Sequence, residues 1–229
     1  MKVDSIVDRA CRNIQEWIVT GRFKPGEQIK EENISQRLEI SRPPVREALK
    51  MLEATGLVVR KPRRGVFVPL LTRKDVWEIY TLKAALYELV TELAMDVMTD
   101  MQVRELETLV EEMERIVSEN PVDILRYQKH HKGFHSRLMG IAGNGRLNAF
   151  AANLHNQVTP FSYKSLQQKE HLLASVRYHR EIIDAIKIGD RPSACRLMKR
   201  HVLDALLVFR DMQDAVWDEV LPSSMVMEG

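Results

Sequence analysis

Apolar residues recur at three- and four-residue steps along most of this chain, and the exceptions gather in one short stretch. Ile6, Ala10, Ile14, Trp17 and Ile18 form one stripe, which predicts a helix over about Ser5 to Thr20, ended by Gly21, Pro25 and Gly26. A shorter helix over about Glu31 to Leu38 turns Ile34 and Leu38 inward, and a third runs from Arg42 to Thr55 after the turn Glu39-Ile40-Ser41. Ser41 suits the N-cap, Pro43 and Pro44 fall in a first turn that needs no N–H from them, and Gly56 is the stop. The texture then changes. Leu57-Val58-Val59 and Val66-Phe67-Val68 read as two strands joined by the basic turn Lys61-Pro62-Arg63-Arg64-Gly65. Three helices and a hairpin of this size predict a winged helix-turn-helix.

Beyond the linker Pro69 to Thr72 the periodicity is helical throughout. Helices are expected at about Lys74 to Met98, Met101 to Ser118, Val122 to Ala142, Arg146 to Val158, Gln168 to Lys187 and Arg191 to Val216. Asp100 and Asp190 are expected as N-caps, and Gly143 and Gly189 as stops. The expected fold is therefore mainly α. A winged helix-turn-helix of three helices plus a β-hairpin occupies residues 1–71, and an all-α antiparallel helical bundle occupies residues 72–229.

Composition adds exclusions. With 229 residues, 45% hydrophobic and 29% charged, the chain is neither collagen-like, a coiled-coil rod nor disordered. No apolar run approaches the roughly 20 residues of a membrane span, and acids interrupt the start where a signal peptide needs an apolar stretch. A cytoplasmic protein without a membrane partner is expected. Cys11 and Cys195 stand in no redox or metal spacing. Charge divides near Thr72: residues 1 to 72 hold 14 Lys+Arg against 9 Asp+Glu, net +5, and of the 34 and 32 in all, 20 and 23 remain, net −3. A polyanion partner is expected for the first part.

In a helix-turn-helix the second helix enters the major groove by its N-terminal end. Here that end is Ser41-Arg42-Pro43-Pro44-Val45-Arg46. Arg42 and Arg46 share one face and reach for base edges, where arginine on guanine is the commonest specific contact. Ser41 and the helix N-terminus suit a phosphate, while Arg63 and Arg64, with Gly65 behind them, form a hairpin tip for the adjacent minor groove or backbone. Val45, Ala48, Leu49 and Leu52 take another face and pack inward. The stretch SRPPVREALKMLEATGLVVRKPRRGVFV resembles the signature of GntR-family bacterial transcription regulators. The resemblance implies a homodimer on a pseudo-palindromic double-stranded operator. Where some members carry a DNA-contacting arginine on the first helix of the pair, this chain has Glu32, so no operator sequence carries over.

A second pattern lies in the bundle. Ile124, Tyr127, His131, His135, Leu138 and Ala142 form one inward stripe, as do Leu172, Val176, His179, Ile183 and Ile186, and Ala194, Leu197, His201, Ala205 and Val208. Four of the seven histidines thus face inward on three helices; His130 falls off its stripe, and His155 and His171 have no clear placement. A lone inward histidine is usually a hydrogen-bonded core residue. Four converging ones point to a shared divalent cation, and imidazole suits zinc, nickel, copper or ferrous iron, with zinc or nickel favoured here. The stretches HKGFHSRLMGIAGN, RYHREIIDAI and MKRHV resemble the FCD, or FadR-type, ligand-binding domain. That resemblance implies His135, His179 and His201 as metal ligands, with His131 where the family usually has an aspartate. Four neutral imidazoles leave the cation's charge uncompensated, so a small anionic effector, a carboxylate, is expected at an open position.

Lys83 and Tyr87 lie on the stripe Val76, Tyr80, Lys83, Tyr87, Val90, at places where the family often has arginine and glutamate. Either they contact the effector, or Tyr87 is core and Lys83 extends to solvent. Three functions are open to such a chain: a metabolite-responsive transcription regulator, a regulator with a structural or absent metal, and a zinc hydrolase. His131 and His135 have HxxxH spacing, but Lys132 stands where a hydrolase needs its glutamate, so no enzyme is expected.

Overall fold

The computed structural model describes residues 5–211, and among these it has nine helices and three short strands. Helix α1 (Ile6–Val19) opens with a capping box in which Ser5 and Asp8 satisfy each other's backbone N–H groups. Its buried face is Ala10, Ile14, Trp17, Ile18 and Val19, whereas Ile6, the first residue of the expected stripe, is exposed. Helix α2 (Glu31–Leu38) ends on Glu39, a left-handed residue at φ 54°, and α3 (Arg42–Ala54) follows with Ser41 as N-cap in extended backbone. The Ser41 side chain makes no capping hydrogen bond.

The hairpin of β2 (Val59–Lys61) and β3 (Gly65–Phe67) is present and gains a partner absent from the sequence reading, β1 (Gln28–Ile29). The sheet order is β1-β3-β2, all antiparallel, with Gln28 opposite Phe67. A two-residue strand is too short to show alternation, so only its pairing reveals it. At the wing tip Arg63 adopts φ 59° and Gly65 φ 99°. A Cβ at Gly65 would come 3.0 Å from Nε2 of Gln28, which donates to the Arg64 carbonyl at 2.7 Å. This turn requires glycine both for its backbone and for its clearance.

The remaining helices are α4 (Arg73–Val97), α5 (Asp100–Val117), α6 (Ile124–Ala142), α7 (Gly145–Leu166), α8 (Lys169–Lys187) and α9 (Arg191–Asp211). Thr99 is the cap of α5, and Asp100, expected in that place, is the first helical residue. There its carboxylate favours the positive end of the dipole. Asp190 accepts the Ser193 N–H at 3.1 Å as expected, and Gly143 and Gly189 end their helices at φ 65° and 73°. Helix α7 runs two turns beyond its expected end at Val158, through Pro160. Proline removes one hydrogen bond, but Thr159, Ser165 and Leu166 are buried on either side of it, and packing outweighs that local preference. The expected end of α9 at Val216 lies outside the described residues.

Two apolar cores result. One joins α1, α2, α3 and the sheet around Ile14, Ile34, Leu49 and Val66; the other fills the bundle around Tyr87, Met113, Phe134 and Ile182. Helix α4 packs on α6, α7 and α9, so its inner face looks at the inner faces of three other helices. Helix α7 also meets α1, giving it contact with both cores.

Candidate functional site

The three histidine-bearing stripes meet. His131 and His135 on α6, His179 on α8 and His201 on α9 are buried, and their ligand-capable nitrogens all lie within 4.8 Å of one another. His179 Nε2 is 3.3 Å from His135 Nε2, and His131 Nε2 is 3.4 Å from His201 Nε2. Two facing imidazole nitrogens this close hold at most one proton between them, so each pair turns at least one lone pair inward. The orientation of His179 is held from behind, because its Nδ1 donates to the Ser175 carbonyl at 2.7 Å. That leaves Nε2 with its lone pair, which is the usual arrangement of a metal-ligating histidine. His135 Nδ1 is buried without a hydrogen-bond partner among the described residues.

Electrostatics agree with neutral rings. Burial pushes His131, His135 and His201 well below the ordinary histidine range, with their neighbouring rings adding to the effect. Burial brings His179 down to about 4, opposed in part by its bond to Ser175. Four neutral nitrogen donors from three helices fit a borderline divalent ion such as zinc or nickel, and fit calcium or magnesium poorly.

Beside the cluster Lys83 is only 5% exposed, which rules out the reading in which it extends to solvent. Its ammonium lies 5.4 Å and 4.9 Å from the ring centroids of Tyr80 and Tyr87, and burial lowers its pKa to about 8. Tyr87 packs its ring 5.0 Å from His135, while its hydroxyl is buried and has no hydrogen-bond partner among the described residues.

In the first core the arginines are less free than their spacing alone implied. Arg42 donates to Glu32 at 2.8 Å, and Arg46 makes a forked contact to Glu31 at 2.9 to 3.2 Å. The pair with Arg46 holds the Glu31 carboxyl below the usual carboxylate range. Val45, Ala48, Leu49 and Leu52 are buried beneath them, and Ser41, Arg63 and Arg64 are exposed on the same molecule's surface. Gly65 is half-buried behind the tip.

Two family models account for both parts of this architecture. The first, bacterial regulatory proteins of the gntR family, matches residues 6–68, and the FCD domain matches residues 78–204. The chain belongs to the GntR family. Among its relatives, the HTH-type transcriptional regulator YdhC of Bacillus subtilis, itself uncharacterized, is 31% identical over 193 residues, covering 83% of each chain. The gluconate operon transcriptional repressor of the same organism is 26% identical over 226 residues, covering 96% of this chain and 89% of the repressor. Escherichia coli McbR/YncC superposes with a TM-score of 0.77 at 17% identity, covering 91% of this chain and 99% of that one. A GntR structure from Rhodococcus sp. RHA1 gives 0.71 at 23%, covering 90% and 98%.

The protein is thus a DNA-binding transcriptional regulator of the GntR family with an FCD domain, and its relatives are regulators, not enzymes. Among the described residues no helix is long and apolar enough to cross a membrane. One histidine of this GntR regulator escaped the sequence pattern: His155 is buried on α7, its ring 6.5 Å from that of His131. The steps Leu147, Ala151, His155 and Val158 all lie within the helix expected at Arg146 to Val158, and that stripe is the signal that would have placed His155 inward. His130 is half-buried, outside the four-histidine cluster.

Proposed function

We propose that this regulator is controlled by a small carboxylate bound at a divalent ion, zinc or nickel, which His131, His135, His179 and His201 hold in the FCD domain. The observation that carries the reading is the convergence of their ligand atoms within 4.8 Å in a buried site where, among the described residues, the cluster is of histidines alone. A bound divalent ion supplies an uncompensated positive charge at which an anion is favoured. Lys83, buried and without a carboxylate partner among the described residues, supplies a second charge, and the Tyr87 hydroxyl, which has no hydrogen-bond partner among those residues, supplies a hydrogen bond. One relative is named as the repressor of a gluconate operon, and gluconate is a carboxylate, which fits this class of effector.

Operator binding falls to Ser41, Arg42 and Arg46 in the major groove and to Arg63 and Arg64 on the wing, with Gly65 setting the turn that presents them. Arg42 exchanges Glu32 for DNA on binding, and Arg46 exchanges its forked pair with Glu31 in the same way. The working unit is a homodimer on a two-fold operator. An apolar face available to a second copy lies on α4, where Leu82 and Leu89 are exposed a helical repeat apart.

The signal has a material path. Helix α7 lines the bundle beside the histidines, and on its other side the Asn153 and Gln157 side chains close on Gly56, the residue that ends the recognition helix. An effector that favours one setting of α7 therefore favours one placement of α3, and the affinity for DNA changes by the differential stabilisation of that state.

The test is thermal unfolding of chelator-stripped protein with zinc or nickel, beside His179→Ala. Metal at about one hundred times its dissociation constant stabilises by roughly 2.7 kcal/mol, several degrees for a chain of this size. That shift is expected in wild type and absent in His179→Ala. No shift with either metal overturns the site. A shift whose metal-loaded form ignores carboxylates in an operator mobility assay reduces the metal to a structural role.

A further inference from the structure

Glu32 has no part in the operator contacts above beyond giving up Arg42. It stands in the first turn of α2, and its Oε1 accepts from a terminal guanidinium nitrogen of Arg42, the first residue of α3, at 2.8 Å. The two side chains are 60% and 58% exposed, so the pair is no core contact and lies on the outer surface with the N-terminal end of α3. Among the described residues Arg42 is its one ion-pair partner. Glu31, the residue before it, differs. Its carboxyl is held low first by the bond from Arg46 and further by the charge of Arg60, which Glu53 holds in place. When Arg46 turns to DNA, Glu31 keeps Arg60 beside it; when Arg42 turns, Glu32 keeps no cation.

The Glu32 carboxylate is then left uncompensated beside a polyanion. A carboxylate only accepts hydrogen bonds, and removing one from water without a donor is costly. Base edges in the major groove offer two kinds of donor, the N4 amine of cytosine and the N6 amine of adenine, whereas guanine and thymine present acceptors there. The adenine amine stands beside N7, whose lone pair repels a carboxylate; the cytosine edge carries its amine alone. The 2.8 Å between the ends of Arg42 and Glu32 is close to the rise of about 3.4 Å between stacked pairs, which suits neighbouring base pairs.

We infer that Glu32 is a specificity-determining residue of operator recognition, accepting from the N4 amine of a cytosine in the base pair next to the guanine that Arg42 reads. This rests on the placement of α3 in the major groove proposed above and goes beyond it. An acid that acted by charge alone would weaken all sequences alike, whereas one that reads a base favours a single pair.

The experiment selects duplexes from a randomised DNA library with the full-length protein and sequences those bound, for wild type, Glu32→Ala, Glu32→Gln and Arg42→Ala. Position 32 is exposed, so its variants keep the fold. Wild type is expected to select a C·G pair beside the guanine that Arg42→Ala relaxes. Glu32→Ala loses preference at that C·G pair and keeps the rest of the motif, and Glu32→Gln moves it to adenine, which glutamine pairs through N6 and N7. In mobility shifts, changing the pair to T·A weakens wild type by about fivefold or more and leaves Glu32→Ala unaffected. Glu32 variants that alter affinity with every base preference intact overturn the inference, as does a relaxed position that holds no cytosine. Relaxation only at the guanine read by Arg42 overturns it too, by reducing Glu32 to a support for that arginine. In these three cases the reading of α3 stands. If Arg42→Ala leaves the motif whole, or wild type selects none, that reading falls and this one falls with it.

Discussion

Arg42 and Glu32 show how a single acid modifies a DNA-reading surface. The ion pair is exposed on both sides, so its own contribution to stability is small. Its consequence is for binding, because a carboxylate beside the groove repels phosphate. Glu32→Gln is expected to raise affinity for unrelated DNA more than for the operator, and the mobility-shift ratio between the two sequences checks this. Arg42→Ala is expected to lose about 1 to 3 kcal/mol and to relax base preference, whereas Arg64→Ala weakens all sequences alike and lowers the salt slope. Equal loss on operator and random DNA for Arg42→Ala would remove it from base reading.

Helix α7 is the element in which local and tertiary preferences conflict most. It carries a proline, it outruns its expected length, and its two faces serve different cores. The junction with the first core is narrow: a Cβ on Gly56 would sit 3.1 Å from both Asn153 Nδ2 and Gln157 Cγ, and Gly56 itself has φ 77°. Gly56→Ala is expected to cost about 1 to 2 kcal/mol from the left-handed backbone alone, with the contact adding to it. Removing the contact by Asn153→Ala with Gln157→Ala in the same chain recovers only the second part in thermal unfolding. Those two substitutions in the otherwise native chain are expected to leave operator binding intact and to weaken its response to effector. An unchanged response would exclude this junction as the path.

At the scale of the whole molecule the buried histidines and Lys83 set the dependence on pH. Each has a folded pKa below its ordinary value, so the unfolded chain binds more protons and stability rises with pH across the gap. For the histidines of chelator-stripped protein, stability is complete above about pH 6.5 and is lost as the pH falls further. Metal loading steepens this acid limb, because protons and the cation compete for the same nitrogens. For Lys83, displaced to about 8, stability grows between about pH 8 and 10 by roughly 2 to 3 kcal/mol. Lys83→Met is expected to flatten that alkaline limb and leave the acid one, in urea titrations across pH. An unaltered alkaline limb would mean that Lys83 already has an anionic partner in the stripped protein.

Local pattern determined most of the fold. The stripe through α3 is buried throughout, and those through α1, α6, α8 and α9 are buried at their central positions, with Ile6 exposed and Leu197, Ala205 and Val208 half-buried, because helical spacing decides which side chains share a face before any tertiary contact forms. The same stripes turn His131, His135, His179 and His201 inward. What periodicity cannot carry is which faces meet and what happens where local signals are short or conflicting. Strand β1 exists only by pairing with β3, and α7 continues through Pro160 only because burial on both sides outweighs a lost hydrogen bond. The burial of Lys83, the pairing of Arg42 and Arg46 with the acids of α2, and the place of His155 were likewise decided by neighbours distant in sequence. A side chain's environment is set by the helices packed against its own, and that is a property of the assembled molecule.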